Sequence, residues 1–183
     1  MKFNALGLVK HPVDQVWMAM RDDLPSMVGL IDDIESIQVV SRDEEDENLH
    51  VVNVWKAVPP TPKIVSKFID SKMFVWTDEA KWDKGTRSCK WVIEPHSFKK
   101  YISCEGSTFF TSAMGGRGTR VTFSGEIHLK SRKIPGIPVS IEGRVMSGIE
   151  GFVQNLIPKN FRKIIDAIGK HLGSGKPQTQ ISV

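Results

Sequence analysis

The chain has 183 residues, 40% of them hydrophobic and 25% charged, with a formal net charge of +4. That length and balance suit one domain whose core needs no disulfide or metal, and two cysteines exclude a disulfide scaffold. No run of about 18 apolar residues marks a spanning helix, and the N-terminus lacks the apolar region of a signal peptide, so a reducing, cytoplasmic setting is expected.

Lys2–Val9 reads as a first strand. Pro12–Arg21 reads as a helix, since Val13, Val16, Trp17 and Met20 fall on one face and proline suits a first helical turn. A second short helix is expected over Leu24–Leu30 with Asp23 as its cap. A strand at Ile34–Ser41, an acidic hairpin tip at Asp43–Asn48 and a return strand at Leu49–Val58 follow, closed by Pro59, Pro60 and Pro62. Lys63–Asp70 fits a short helix better than a strand. Met73–Asp83 alternates, with Phe74, Trp76, Asp78, Ala80 and Trp82 on one face and a turn at Gly85. Arg87–Glu94 puts Cys89, Trp91 and Ile93 on one face. Lys100–Thr111 and Arg120–Lys130 complete the strands, the latter with Val121, Phe123, Ile127 and Leu129 inward. Gly125 shares that inward face, where a missing side chain admits a close neighbour. A long amphipathic helix is expected over Ile141–Leu172, kinked at Pro158 and ended by Gly173, with residues 174–183 a disordered tail beyond a single domain over 1–173.

This order of parts predicts an α+β container. A seven-stranded curved antiparallel sheet would wrap the long C-terminal helix, with two short helices between strands 1 and 2. Such an arrangement leaves a cavity suited to a small apolar molecule. Val9, Pro12, Val16 and Trp17 make a V-x-x-P-x-x-x-V-W opening, and Val75–Asp83 (VWTDEAKWD), Gly118–Val121 (GTRV) and Ser124–Ile127 (SGEI) follow in step. With these the chain, from Lys2 to about Leu172, resembles the helix-grip proteins of the SRPBCC superfamily, and looks like a bacterial branch of it. That superfamily includes START-related lipid-transfer domains, pollen-allergen-type carriers, polyketide cyclases and coenzyme Q-binding START-like proteins. The resemblance implies the fold and a hydrophobic ligand; it does not choose among functions.

Asp78 is the sharpest polar candidate. Turned into an apolar cavity, its pKa should rise, and it could anchor a ligand hydroxyl or act as a general base; a backbone partner or an outward turn is the alternative. Trp55, Phe74, Trp76, Trp82, Trp91, Cys104, Phe123, Ile149, Phe152, Val153 and Leu156 are the expected lining, or equally a dry core. A pairing that sets Trp91 opposite Ile102 and Cys89 opposite Cys104 makes the two cysteines neighbouring reduced thiols.

The charge is segregated. Residues 32–47 carry eight acids against Arg42, a net of −7, while residues 99–170 carry twelve Lys/Arg and five acids, a net of +7. Solvated surfaces account for this, or an orienting field for an acidic partner. Lys130, Arg132, Lys133, Ile134 and Ile137 lie in a segment that reads as a strand-to-helix linker or as a transient contact with an anionic membrane. The histidines at 11, 50, 96, 128 and 171 lack metal spacing and read as surface residues. No cofactor, metal or nucleic-acid partner is expected, since the basic residues are not interleaved with exposed aromatics. The oligomeric state stays open. The leading function is binding or transport of a small hydrophobic ligand: lipid, isoprenoid, quinone or polyketide-like. A cyclase or dehydratase using the same cavity, and an interaction module with a closed core, are the alternatives.

Overall fold

In a computed structural model, which describes residues 1–58, 74–97, 99, 102–129 and 159–174, seven strands form one antiparallel sheet in the order β1-β7-β6-β5-β4-β3-β2. The strands are β1 (Lys2–Val9), β2 (Ile34–Glu45), β3 (Asn48–Ala57), β4 (Val75–Asp83), β5 (Ser88–Pro95), β6 (Ile102–Ala113) and β7 (Gly118–Leu129). Helix α1 (Val13–Asp22) and a 3-10 helix (Leu24–Leu30) lie between β1 and β2, and helix α2 covers 159–173. The sheet is curved, and β2 carries two register breaks, between Ile34 and Ser36 and between Val39 and Ser41.

Period-two alternation forms the strands and sorts their faces. On β3, Leu49, Val51, Asn53 and Trp55 are buried while the residues between them are only half-buried. On β4, Ala80 and Trp82 are buried beside an exposed Lys81. Helix α1 turns Val16, Trp17 and Ala19 into the core, and Trp17 meets Trp82 edge-on at 6.0 Å. Helix α2 lies against the inner face of the sheet. Its Phe161 stacks on Phe123 of β7 at 4.9 Å and 15°. A Cβ on buried Gly7 of β1 would stand 2.6 Å from Ile165, so only glycine lets the helix come this near. Phe161, Ile165 and Ile168 are buried, each contributing about 1.5–3 kcal/mol of hydrophobic stabilisation.

Gly173 ends α2 as expected, where Ser174 N–H donates to the Lys170 carbonyl at 3.0 Å. The expected helix at Lys63–Asp70, the helix start at Ile141 and the Pro158 kink lie outside the described residues.

Several expectations are corrected. The β2–β3 strands run on through the acidic segment, and the turn is confined to Asp46 and Glu47, with Asp46 at φ 52°. An edge strand tolerates the acids because Arg42 Nη2 donates to Asp22 at 2.8 Å and Arg21 reaches Glu44 at 3.6 Å. The β4–β5 turn covers residues 84–87 and so includes Gly85 as expected, but the residue in it with positive φ is Arg87, at 46°. Phe74 stands just before β4 and is not part of its strand face. Asp23 occupies the N-cap position without making a side-chain cap. Its carboxylate instead meets Nε2 of His171 on α2 at 3.1 Å, and both residues are buried, so His171 is not a surface histidine.

The β5–β6 register is also corrected. Trp91 stands opposite Gly106, Cys89 opposite Thr108 and Ile93 opposite Cys104, a slip of four residues from the expected pairing. The cause is the size of the Trp91 ring. A Cβ on Gly106 would lie 2.4 Å from it, and one on Gly125 2.6 Å, so the indole rests across two facing glycines. Its Nε1 donates to Thr108 Oγ1 at 3.2 Å. The two cysteines are buried, free and four pairing positions apart, and therefore not neighbouring thiols.

Candidate functional site

The inner face has a sealed end and a half-open end. At the sealed end Trp91 stacks on Phe123 at 4.8 Å, Phe123 stacks on Phe161, and Phe3 lies 6.2 Å from Trp91. Trp82, at 7% exposure, packs between Trp17 and Phe110. Protein side chains already occupy the faces of these rings, so Trp82 and Trp91 sit in packed core and Phe123, half-buried, packs against it.

At the other end the inward residues stay half-buried: Trp76 and Asp78 on β4, Ile93 on β5, Ile102 on β6. Trp55 is buried and stacks on Trp76, its cross-strand partner, at 5.8 Å and 17°. Cys104 is buried beside Ile93, and burial pushes its thiol up to about 12, with Glu105 adding to the rise, so it acts as a small apolar group. Trp55, Trp76, Asp78 and Cys104 thus all lie at this end of the inner face. Ile149, Phe152, Val153 and Leu156 lie outside the described residues, as do Lys130, Arg132, Lys133, Ile134 and Ile137.

Asp78 is the charged side chain turned into this end among the described residues. It faces Asn53 directly across the β3–β4 ladder. Burial pushes its carboxyl up from an ordinary 3.8 to about 6, while the Trp55 indole and the Asn53 amide beside it ease the charged form back. Trp55 Nε1 is fully buried; it lies near enough to Asp78 to favour the charged carboxylate, but meets neither it nor another described acceptor at full hydrogen-bond geometry. The site therefore combines two stacked indoles, apolar neighbours, an unused donor, an amide, and a carboxyl that changes charge near neutral pH. Asn53 was missed in the sequence. Its signal was an amide at an inward position between Val51 and Trp55.

A depression of about 360 Å³ on the opposite, outer face is lined by Glu79, Lys81, Lys90, Glu105 and Ser107 among others. His50 and Glu79 pair on that face at 2.9 Å. It is shallow and charged, and the sheet separates it from Asp78. Among the described residues no cluster of His, Cys, Asp and Glu has the arrangement of a metal site. No described helix is long and apolar enough to cross a membrane.

No family model matches the chain, and no curated protein matches it. Solved structures do. TTHA0849 from Thermus thermophilus aligns with a TM-score of 0.67 at 18% identity, covering 97% of this chain and 100% of that one. The Zhui aromatase/cyclase from Streptomyces sp. R1128 aligns with a TM-score of 0.67 at 12% identity, covering 100% of this chain and 99% of that one. Ara h 8.0201 aligns with a TM-score of 0.56 at 16% identity, covering 96% and 99%. The fold is thus the helix-grip fold that the sequence resembles. At these identities the likeness concerns the fold alone.

Proposed function

We propose that the protein binds a small, mainly apolar molecule at the half-open end of its inner face, against Trp55, Trp76, Ile93, Ile102 and Cys104, and carries it without transforming it. One observation carries the reading. Trp76, Ile93 and Ile102 stay half-buried at this end, whereas under α2 the rings of Trp91, Phe123 and Phe161 stack face to face on one another. A folded chain keeps such surface open at a cost unless a ligand covers it. The helix-grip architecture, which the aromatase/cyclase shares, supports a site between sheet and helix.

A second reading has its own observation. A carboxyl poised near pH 6 beside an amide is what a general base requires, and a cyclase-type reaction would use Asp78 in that role. Asp78→Asn separates the two. The carrier reading expects no turnover of polyketide or isoprenoid substrates by the wild type. Turnover that collapses in the variant while binding persists would make the protein an enzyme.

Native mass spectrometry of the purified protein tests the main reading, together with displacement of a fluorescent apolar probe. We expect a co-purified small molecule or saturable probe binding that Trp76→Ala weakens. Saturable binding that Trp76→Ala leaves unchanged would remove the site from this end.

A further inference from the structure

We infer that the Trp55–Asn53–Asp78 cluster recognises a hydroxyl group, so that the ligand is an apolar body carrying one alcohol or phenol at the end that enters first. This deepens the binding function proposed above and rests on it. The argument is one of hydrogen-bond complementarity. The Trp55 indole is 6% exposed, its Nε1 can only donate, and it meets no acceptor at hydrogen-bond geometry among the described residues. A buried donor left unmet costs about 1–3 kcal/mol, so a ligand that supplies an acceptor recovers that loss. Beside it, Asp78 in its charged form can only accept. The ligand group that enters must therefore accept from the indole and donate to the carboxylate at once.

Few groups do both. An ammonium donates only, and would leave Trp55 unmet. An ether or a ketone accepts only, and would set an oxygen against the carboxylate. A carboxylate ligand would add a second negative charge to the first. A hydroxyl fits, with one O–H donor and two lone pairs. Asn53, across the ladder from Asp78, carries both a donor and an acceptor and can hold the carboxylate while the hydroxyl binds. The stacked Trp55 and Trp76 rings supply flat apolar surface next to the polar cluster. They favour a ring-bearing body over a thin chain.

Three probes of one shape test this: 2-naphthol, 2-methoxynaphthalene and 2-methylnaphthalene, each competed against a bound fluorescent apolar dye at pH 7.5. The naphthol is expected to bind at least tenfold more tightly than either of the others. Trp55→Phe, which keeps an aromatic ring and deletes the donor, should bring the affinities for 2-naphthol and 2-methylnaphthalene level with each other, whatever their common value. Asp78→Leu should do the same. If 2-methoxynaphthalene matches 2-naphthol on the wild type, an acceptor suffices and the hydroxyl inference is wrong. If all three bind equally, the cluster reads nothing, although the apolar site stands. If none displaces the dye, the binding function falls and this inference with it. The wild-type comparison decides even if Trp55→Phe does not fold.

Discussion

Asp78 carries a predictable imprint on stability. Its carboxyl is harder to ionise in the folded chain than in the unfolded one, about 6 against 3.8, chiefly through burial. The folded state therefore favours the protonated form. That contribution is fully present below pH 3.8 and is lost as pH rises through about 6. Asp78→Asn, which stays neutral, is expected to match the wild type near pH 4. It should be more stable than the wild type by about 2–3 kcal/mol at pH 8. Urea unfolding at the two pH values measures this, and an equal difference at both would show that the carboxyl is not held in a desolvated place. At this scale the sequence was partly legible. The inward position of Asp78 and the close approach at Gly125 both follow from strict alternation, and the structure shows Phe3 and Trp91 against that glycine. The β5–β6 register did not follow. A slip of four residues leaves every side chain on its own face, so alternation is blind to it. What fixes it is the width of one indole against Gly106, a contact that no spacing rule contains.

Among elements, the join between α2 and the α1–3-10 corner depends on one buried polar pair. His171 Nε2 and Asp23 Oδ2 stand 3.1 Å apart, at 9% and 3% side-chain exposure, and Asp23 Oδ1 has no partner of its own among the described residues. Lys163 of α2 adds an ion pair to Asp33, which is more exposed and worth less. Truncating either member of the buried pair leaves a desolvated group behind, so His171→Leu and Asp23→Leu should each cost about 1–3 kcal/mol. The double variant should cost clearly less than the sum of the two, because it strands nothing. Chemical denaturation of the four proteins checks this, and additivity within about 0.5 kcal/mol would show that the two side chains act independently. The pair could not be read in advance. Asp23 precedes a helix and His171 follows an apolar run, so each has an adequate local explanation. Their meeting spans 148 residues and exists only once α2 is seated. The helices themselves were legible, because Val16, Trp17, Phe161, Ile165 and Ile168 keep helical spacing.

For the whole molecule, order of parts proved more informative than any motif. Strand count, antiparallel sense and the helix on the inner face all follow from where alternation stops and helical spacing begins. The charge asymmetry says less than its size suggests, since part of the acidic segment is spent locally on Arg21, Arg42, Lys56 and Lys163. The sheet order also sets an expectation for kinetics. β1 pairs with β7, and Lys2 meets Glu126, so although the other ladders join consecutive strands, completing the sheet needs one pairing between segments far apart in sequence. Refolding from urea should fall in the millisecond-to-second range typical of such topologies. A stopped-flow trace complete in microseconds would contradict it.

That same pairing shapes life on the ribosome. β1 has β7 as its one neighbour in the sheet, and roughly 110 residues separate the two. At about 5–20 residues per second, β1 waits roughly 5–25 seconds for its partner to be synthesised. During that time it exposes Phe3 and Val9, which the native core will bury, beside Leu6 and Leu8, which stay on the surface. The nascent chain thus trails an unpaired apolar strand through most of its translation. β1, made before the other six strands, is among the last of them to find its place, and until then a chaperone is its natural neighbour.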